Sequence, residues 1–269
     1  MITLYQNDTQ IPFKQWKFPG GEVGVQLPSI EPSSKFVVRM DYENSDDIFV
    51  FLNVCDALIR MGVDRSNIDG LIPYLPYARQ DRVCNKGESF ALFVFFSVIK
   101  DACIGKLETY DIHSQVSEYW FRTESRYNLV NKEQHECAAM LPKFDVLISP
   151  DKGATNKAKK HSQVTSGETK LVQLSKVRLD SGIVYEDFPY DTIKGTVCVV
   201  DDLIDKGGTF LALGKMIKRT QPNITSLNLY ATHGLMGDGT TELFKFYDVI
   251  YVNNLMNRGL EYGDRLVHL

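Results

Sequence analysis

The sequence predicts an α/β protein built from mostly parallel sheets flanked by helices. Three observations carry that prediction. Short apolar, β-branched runs alternate with segments of helical periodicity along the whole 269-residue chain, as strand–helix–strand units require. Charged and glycine-rich clusters fall where the apolar runs stop, the usual place for ligands in open α/β sheets. A polar stretch, Arg122 to Glu136, divides the chain into two similar halves without a Pro/Gly linker.

Taken in order, Phe36 to Met40 reads as the first strand, followed by helical periodicity from Asp47 to Met61 with Asp46 or Asp47 as its cap. Gly70 to Tyr74 is a strand that runs into two prolines and a charged cluster. Ser89 caps a second helix reaching Ala102, and Leu107 to Ile112 is a strand ending at His113. In the second half, Val146 to Ser149, Val197 to Val200, Leu227 to Ala231 and Val249 to Val252 read as strands. Phe210 to Arg219 and Thr240 to Phe246 carry helical spacing. No internal repeat is visible.

Composition narrows the function classes. A chain with 43% hydrophobic and 24% charged residues is an ordinary globular protein. A net charge of −4 gives no electrostatic reason to expect nucleic acid as a partner. The amino terminus lacks a charged-then-apolar leader pattern, and no apolar run is long enough for a bilayer, so no membrane association is expected. The cysteines (Cys55, Cys84, Cys103, Cys137, Cys198) show no C-x-x-C spacing. Cys55, Cys103 and Cys198 lie in apolar patterns and are expected to be buried thiols in a reducing, cytoplasmic setting.

The most informative stretch is Val199-Val200-Asp201-Asp202-Leu203-Ile204-Asp205-Lys206-Gly207-Gly208-Thr209-Phe210. A buried strand runs into two carboxylates, a Gly-Gly turn, a threonine and a helix start. Free backbone N–H groups at such a loop form an anion nest. An adjacent Asp pair can accept hydrogen bonds from the vicinal hydroxyls of a ribose, so a sugar phosphate suits the whole. The plainer reading, an acidic strand end with a glycine turn, agrees with fewer of these features at once.

That stretch resembles the loop that binds phosphoribosyl pyrophosphate (PRPP) or ribose 5-phosphate in phosphoribosyltransferases and PRPP synthetases. Five further segments resemble the synthetases, in the same order along the chain. They are Phe18-Pro19-Gly20-Gly21-Glu22 (F-x-x-x-E), Tyr74 to Arg82 (containing P-Y-x-R-Q-D-R), Tyr110-Asp111-Ile112-His113, Ser149-Pro150-Asp151-Lys152-Gly153 and Thr232-His233-Gly234. Lys176-Val177-Arg178 sits where the family's mobile catalytic K-x-R lies.

The resemblance implies two phosphoribosyltransferase-type domains, residues 1–128 on the ATP side and 129–269 on the ribose-phosphate side. It implies that they are related by pseudo-two-fold symmetry, with the site between them. It implies magnesium-dependent (Mg2+) transfer of the β,γ-diphosphate of ATP to the anomeric hydroxyl of ribose 5-phosphate, and a homo-oligomer. Phe18, Glu22, Arg79, Gln80, Arg82 and His113 then hold ATP. Asp151, with His113, organises the metal. Asp201, Asp202, Asp205, Lys206, Gly207, Gly208 and Thr209 hold the ribose phosphate, and Lys176 and Arg178 are catalytic.

The residues on their own are less specific. Arg79 and Arg82 could be an exposed loop paired by its own Asp81, although guanidinium forks also suit polyphosphate. His113 alone is more simply structural, and magnesium prefers oxygen, which favours Asp151 as the metal residue. Lys176 and Arg178, on alternate positions, could be a charged strand edge; their place between the S-P-D and V-V-D-D segments reverses that preference.

Two residues depart from the family pattern. Gly20 stands where Asp or Asn is common. Lys206 stands where a small hydroxyl residue is usual, so either it swings outward or the pocket takes a more anionic acceptor such as ADP-ribose. A phosphoribosyltransferase would lack the segment Arg79 to Arg82, and a silent regulatory relative would lose Lys176 and Arg178.

Overall fold

The computed structural model describes residues 1–164, 169–179, 182–185, 188, 193–256 and 263–269, with the backbone alone at 152, 153, 163, 164, 176–179 and 182–184. The chain forms two compact units, Met1–Lys132 and Glu133–Leu269.

The first unit contains strands β1 (Ile2–Gln6), β2 (Thr9–Ile11), β3 (Lys14–Lys17), β4 (Val23–Gln26), β5 (Phe36–Met40), β6 (Ile68–Leu71), β7 (Lys106–Tyr110) and β8 (Asn128–Lys132), with helices α1 (Asp46–Arg60), α2 (Ala91–Ile99) and α3 (Gln115–Thr123). Its six-stranded sheet runs β2-β1-β5-β6-β7-β8. The four strands from β5 to β8 are parallel, and β1 and β2 add antiparallel. Phe36, Val38 and Met40 alternate into the core against Val50, Phe51, Val54 and Leu58 of α1, the spacings expected of a strand and of an amphipathic helix meeting face to face. The β3–β4 hairpin is separate from that sheet.

The second unit contains α4 (Gln134–Cys137), β9 (Val146–Ser149), α5 (Lys152–Val164), β10 (Lys170–Gln173), β11 (Lys176–Leu179), β12 (Gly182–Tyr185), β13 (Gly195–Ile204), α6 (Gly208–Thr220), β14 (Ile224–Gly234), β15 (Val249–Leu255) and β16 (Leu266–His268). Its sheet, β10-β9-β13-β14-β15-β16, is parallel throughout. The apolar run Val197 to Val200 is buried on both faces, as central parallel strands are. β11 and β12 form an antiparallel hairpin of their own.

Several expected boundaries shift. Ser45, not Asp46 or Asp47, occupies the N-cap position of α1, without a side-chain cap bond; the Asp47 carboxylate accepts from the Glu43 and Asn44 N–H groups and pairs with the chain's amino terminus at 2.9 Å. Phe90 rather than Ser89 precedes α2. Residues Thr240–Lys245 wind as a 3-10 helix, not an α-helix. β8 lies inside the polar stretch that reads as a divider, because Leu129 pairs with Leu107 and completes the sheet edge. All five cysteines are free thiols, with Cys55 and Cys198 buried and Cys103 only half-buried. Among the described residues no helix is long and apolar enough to cross a membrane.

One buried histidine makes the second unit sensitive to acid. His161 of α5 is 2% exposed, and its ring lies 6.2 Å from that of Tyr230. Burial, and after it the nearby His135, pushes its pKa down from 6.5 to about 4. Below the ordinary value the unfolded chain takes up a proton that the folded chain refuses. Stability is therefore present above about pH 6.5 and is lost as pH falls towards 4, by roughly 3 kcal/mol. Urea unfolding at pH 7 and pH 4.5 should show this loss, and His161→Gln should flatten it. An unchanged pH slope in His161→Gln would assign the loss to other groups.

Candidate active site

In the first unit, the chemistry-bearing segments gather around the ends of β6 and β7. β6 stops at Leu71, short of the expected Tyr74, and the chain turns through Pro73 and Pro76 into the arginine segment. Tyr77 adopts φ +62 there, and Asp111, just after β7, adopts φ +41. Left-handed backbone at non-glycine residues is costly and collects at functional segments. β7 ends at Tyr110, so His113 lies three residues beyond the strand rather than closing it.

Asp81 ties these segments together. Its carboxylate accepts from Arg82 through Nε at 2.7 Å and Nη2 at 3.0 Å, and from the Ser114 hydroxyl at 2.7 Å. Ser114 also accepts from the Val116 N–H and so caps α3. The Arg82 guanidinium, then Ser114 and the His113 charge, hold the Asp81 carboxyl below the usual range. The arginine segment is thereby fixed next to His113, while Arg79, Gln80, Arg82 and His113 remain exposed.

The β3–β4 hairpin carries Phe18 and Glu22. Phe18 donates its N–H to the Glu22 carbonyl at 2.8 Å, so the two residues close the hairpin as a cross-strand pair. A Cβ at Gly20 would lie 2.5 Å from the Glu22 carboxylate, which shows that this carboxylate folds over the turn in the space a side chain would take. Lys17 pairs with Asp46 at 2.6 Å, and the Tyr77 hydroxyl lies 3.4 Å from that of Ser45. The start of α1 therefore touches both the hairpin and the arginine segment.

In the second unit, β13 continues to Ile204 and carries Asp201 and Asp202 inside the strand instead of beyond it. The reason is the ladder. β9 pairs with β13 only as far as Val199, whereas β14 accompanies it through Asp201↔Ala231 and Leu203↔His233 to Ile204↔Gly234. The acids thus stand where one neighbouring strand has stopped and the other continues, alongside Thr232-His233-Gly234. Gln134 takes over on the open side, donating from Nε2 to the Asp201 carbonyl at 2.7 Å.

Asp202 is 8% exposed and lies 3.7 Å from the Lys157 ammonium of α5. Asp151 caps α5, its carboxylate accepting from the Ala154 N–H at 3.1 Å. Burial, and then the charges of Asp202 and Asp151, push the Asp201 carboxyl well above the usual range. Three acids are therefore close enough to repel one another, and a cation or a donor-rich ligand would relieve that repulsion. Gly207 precedes α6 at its N-cap with φ +77, and a Cβ there would come within 3.1 Å of Leu243. Nothing lies within 4 Å of a Cβ built on Gly208, which leaves open space beside the first residue of the helix. Lys206 is exposed, and its stem passes Gly237, where a Cβ would sit 3.5 Å from Lys206 Cγ.

Lys176 and Arg178 lie in β11, but their side chains lie outside the described residues, as does that of Lys152. Lys157, Gln134 and Tyr185 carry no motif; packing brings Lys157 to Asp202, Gln134 to the Asp201 carbonyl and the Tyr185 hydroxyl to the Thr209 carbonyl. Among the described residues, no three His, Cys, Asp or Glu side chains converge tightly enough to cage a metal. The mutually repelling carboxylates Asp151 and Asp201 nevertheless fit magnesium, which is commonly held by one or two carboxylates together with substrate oxygens.

No family model matches the chain. Individual relatives do. Ribose-phosphate pyrophosphokinase of Pyrococcus furiosus is 29% identical over 242 residues, covering 88% of this chain and 84% of the relative. The enzyme of that name from Chlorobaculum tepidum is 26% identical over 95% of this chain and 80% of its own. Over most of its length the chain is similar to ribose-phosphate pyrophosphokinases. A third, from Ureaplasma parvum, is 27% identical over 87% of this chain and 71% of its own. Among solved structures, phosphoribosylpyrophosphate synthetase from Mycobacterium smegmatis superimposes with a TM-score of 0.78 at 21% identity, over 98% of this chain and 87% of that one. That likeness shows that the fold is shared.

Proposed function

We propose that the protein is a ribose-phosphate diphosphokinase, transferring the β,γ-diphosphate of ATP to the anomeric hydroxyl of ribose 5-phosphate and releasing AMP. The observation that carries this reading is the cluster at the end of β13. Acids in a strand with one open side, beside a glycine loop and a helix start with open space beside its first residue, match a ribose diol and its 5-phosphate together. The arginine segment of the first unit, which a phosphoribosyltransferase has no use for, supports ATP as the second substrate.

In this reading Asp201 and Asp202 accept from the ribose hydroxyls, with the Lys157 ammonium 3.7 Å from the Asp202 carboxylate. Asp205, Gly207, Gly208 and Thr209 hold the 5-phosphate. Arg79, Gln80 and Arg82 pair with the ATP phosphates, with Asp81 aiming Arg82, while Phe18 and Glu22 receive the adenine. Magnesium, held by Asp151 and assisted by Asp201 or His113, would neutralise phosphate charge. The anomeric oxygen attacks the β-phosphorus, the bond from that phosphorus to the α-phosphate oxygen breaks, and AMP leaves. Among the described residues no side chain stands out as a strong general base, so alignment and charge neutralisation by Lys176 and Arg178 would supply most of the acceleration.

Lys206 bears on the acceptor. Its side chain is exposed and its stem lies beside Gly237, and in this reading the glycine loop alone holds the 5-phosphate of ribose 5-phosphate. Lys206→Thr should then leave kcat/KM for ribose 5-phosphate within about threefold, and ADP-ribose should release no AMP from ATP in either protein. AMP release with each acceptor offered separately tests the whole reading. Turnover of ADP-ribose that Lys206→Thr weakens by about 1–3 kcal/mol, the range of a charge-assisted hydrogen bond, would replace ribose 5-phosphate with ADP-ribose. Absence of AMP release with both acceptors would reject the activity.

A further inference from the structure

Tyr185 joins two elements that no motif links. It stands directly opposite Lys176 in the β11–β12 register, in the pair at the open end of the hairpin, while Leu179 and Gly182 pair at the turn end. Its ring is 8% exposed and packs in the core of the second unit together with Leu174 and Phe188. Apolar burial thus roots the hairpin at its base. The hydroxyl donates to the Thr209 main-chain carbonyl at 3.2 Å, at the start of α6 and within the glycine loop. Burial, and then the charges of Asp151 and Asp201, raise the phenol above its ordinary value, so this group remains a donor throughout the neutral range. Tyr185 therefore joins the hairpin to the loop from one position.

We propose that Tyr185 is a positioning residue that sets the Lys176 hairpin against the ribose-phosphate loop. The inference rests on the reading of Lys176 and Arg178 as the cations of diphosphoryl transfer. A two-stranded hairpin is marginal by itself, so what roots it must decide where its residues stand. Apolar packing holds the root but is non-directional, whereas a hydrogen bond constrains distance and angle. Loss of the hydroxyl leaves the hairpin attached yet free to shift, and displacements of about 1 Å can cost on the order of 100-fold in rate.

Tyr185→Phe keeps the ring and removes only that bond. It should lower kcat by about tenfold, leave both KM values within about twofold and keep the melting temperature near that of the parent protein. In a Lys176→Ala background the same change should cost less than about twofold, because the residue it positions is gone. A kcat for Tyr185→Phe within twofold of the parent would overturn the inference, as would a full tenfold loss persisting in the Lys176→Ala background. Lys176→Ala separates this from the underlying reading. If that variant alone keeps normal kcat, the hairpin is not catalytic and both fall. If it is impaired while Tyr185→Phe is normal, only the role of Tyr185 fails.

Discussion

Lys176→Ala and Arg178→Ala should each lower kcat by about two to three orders of magnitude, with KM for both substrates changed only a few-fold. Charge on the transferring diphosphoryl group is spread over oxygens in the transition state, and cations aimed at it act there far more than in the ground state. Lys176 and Arg178 are two residues apart in β11, the spacing at which two cations can serve one charged group. Arg178→Lys should recover only part of the rate, since a compact ammonium cannot reproduce the planar fork. Steady-state measurement of AMP release decides the matter. Near-normal kcat in both variants would make β11 an ordinary charged edge.

Asp202→Asn should weaken binding of the ribose-phosphate substrate roughly 10- to 100-fold while the protein remains folded. The substitution keeps the shape of the side chain and removes the charge that accepts hydroxyl hydrogen bonds, worth about 1.5–3 kcal/mol when the acceptor is ionised. It also leaves Lys157 without the carboxylate now 3.7 Å away. Because Asp202 is one of the charges that raise the Asp201 carboxyl, the variant should let Asp201 titrate closer to the ordinary carboxylate range. Calorimetric binding of ribose 5-phosphate and carboxyl NMR titration read the two effects separately. Unfolding of Asp202→Asn, with normal affinity in the fraction that stays folded, would make the acid pair a structural feature.

Much of the fold was legible because apolar periodicity and ligand chemistry reinforce one another in α/β units. Central strands such as β13 and β9 are buried on both faces, so their β-branched runs stand out, and the glycines of the 205–209 loop mark where backbone must turn. The short edge strands β2, β10 and β16, and β8 within a polar stretch, carry no such run. They exist because a neighbouring strand offers free backbone groups, which is a property of the sheet and not of the segment. The caps failed for a related reason. Asp47 had the right chemistry for a cap but found the Glu43 and Asn44 N–H groups and the amino terminus first.

The candidate site divides along the same line. Residue identity and spacing determined the D-D-L-I-D-K-G-G-T loop, the R-Q-D-R segment and the S-P-D segment, because their ligands demand those side chains close together in the chain. Only the tertiary structure decided that β13 runs past Val200. Acids disfavour strands in isolation, and here the β14 ladder overrides that tendency. Only packing brought Lys157 from α5 to Asp202, Gln134 to the Asp201 carbonyl and the Tyr185 hydroxyl to Thr209. Those contacts span 45, 67 and 24 residues of chain, separations over which local sequence carries no signal. They form because burying the apolar faces of strand and helix fixes the polar groups between them.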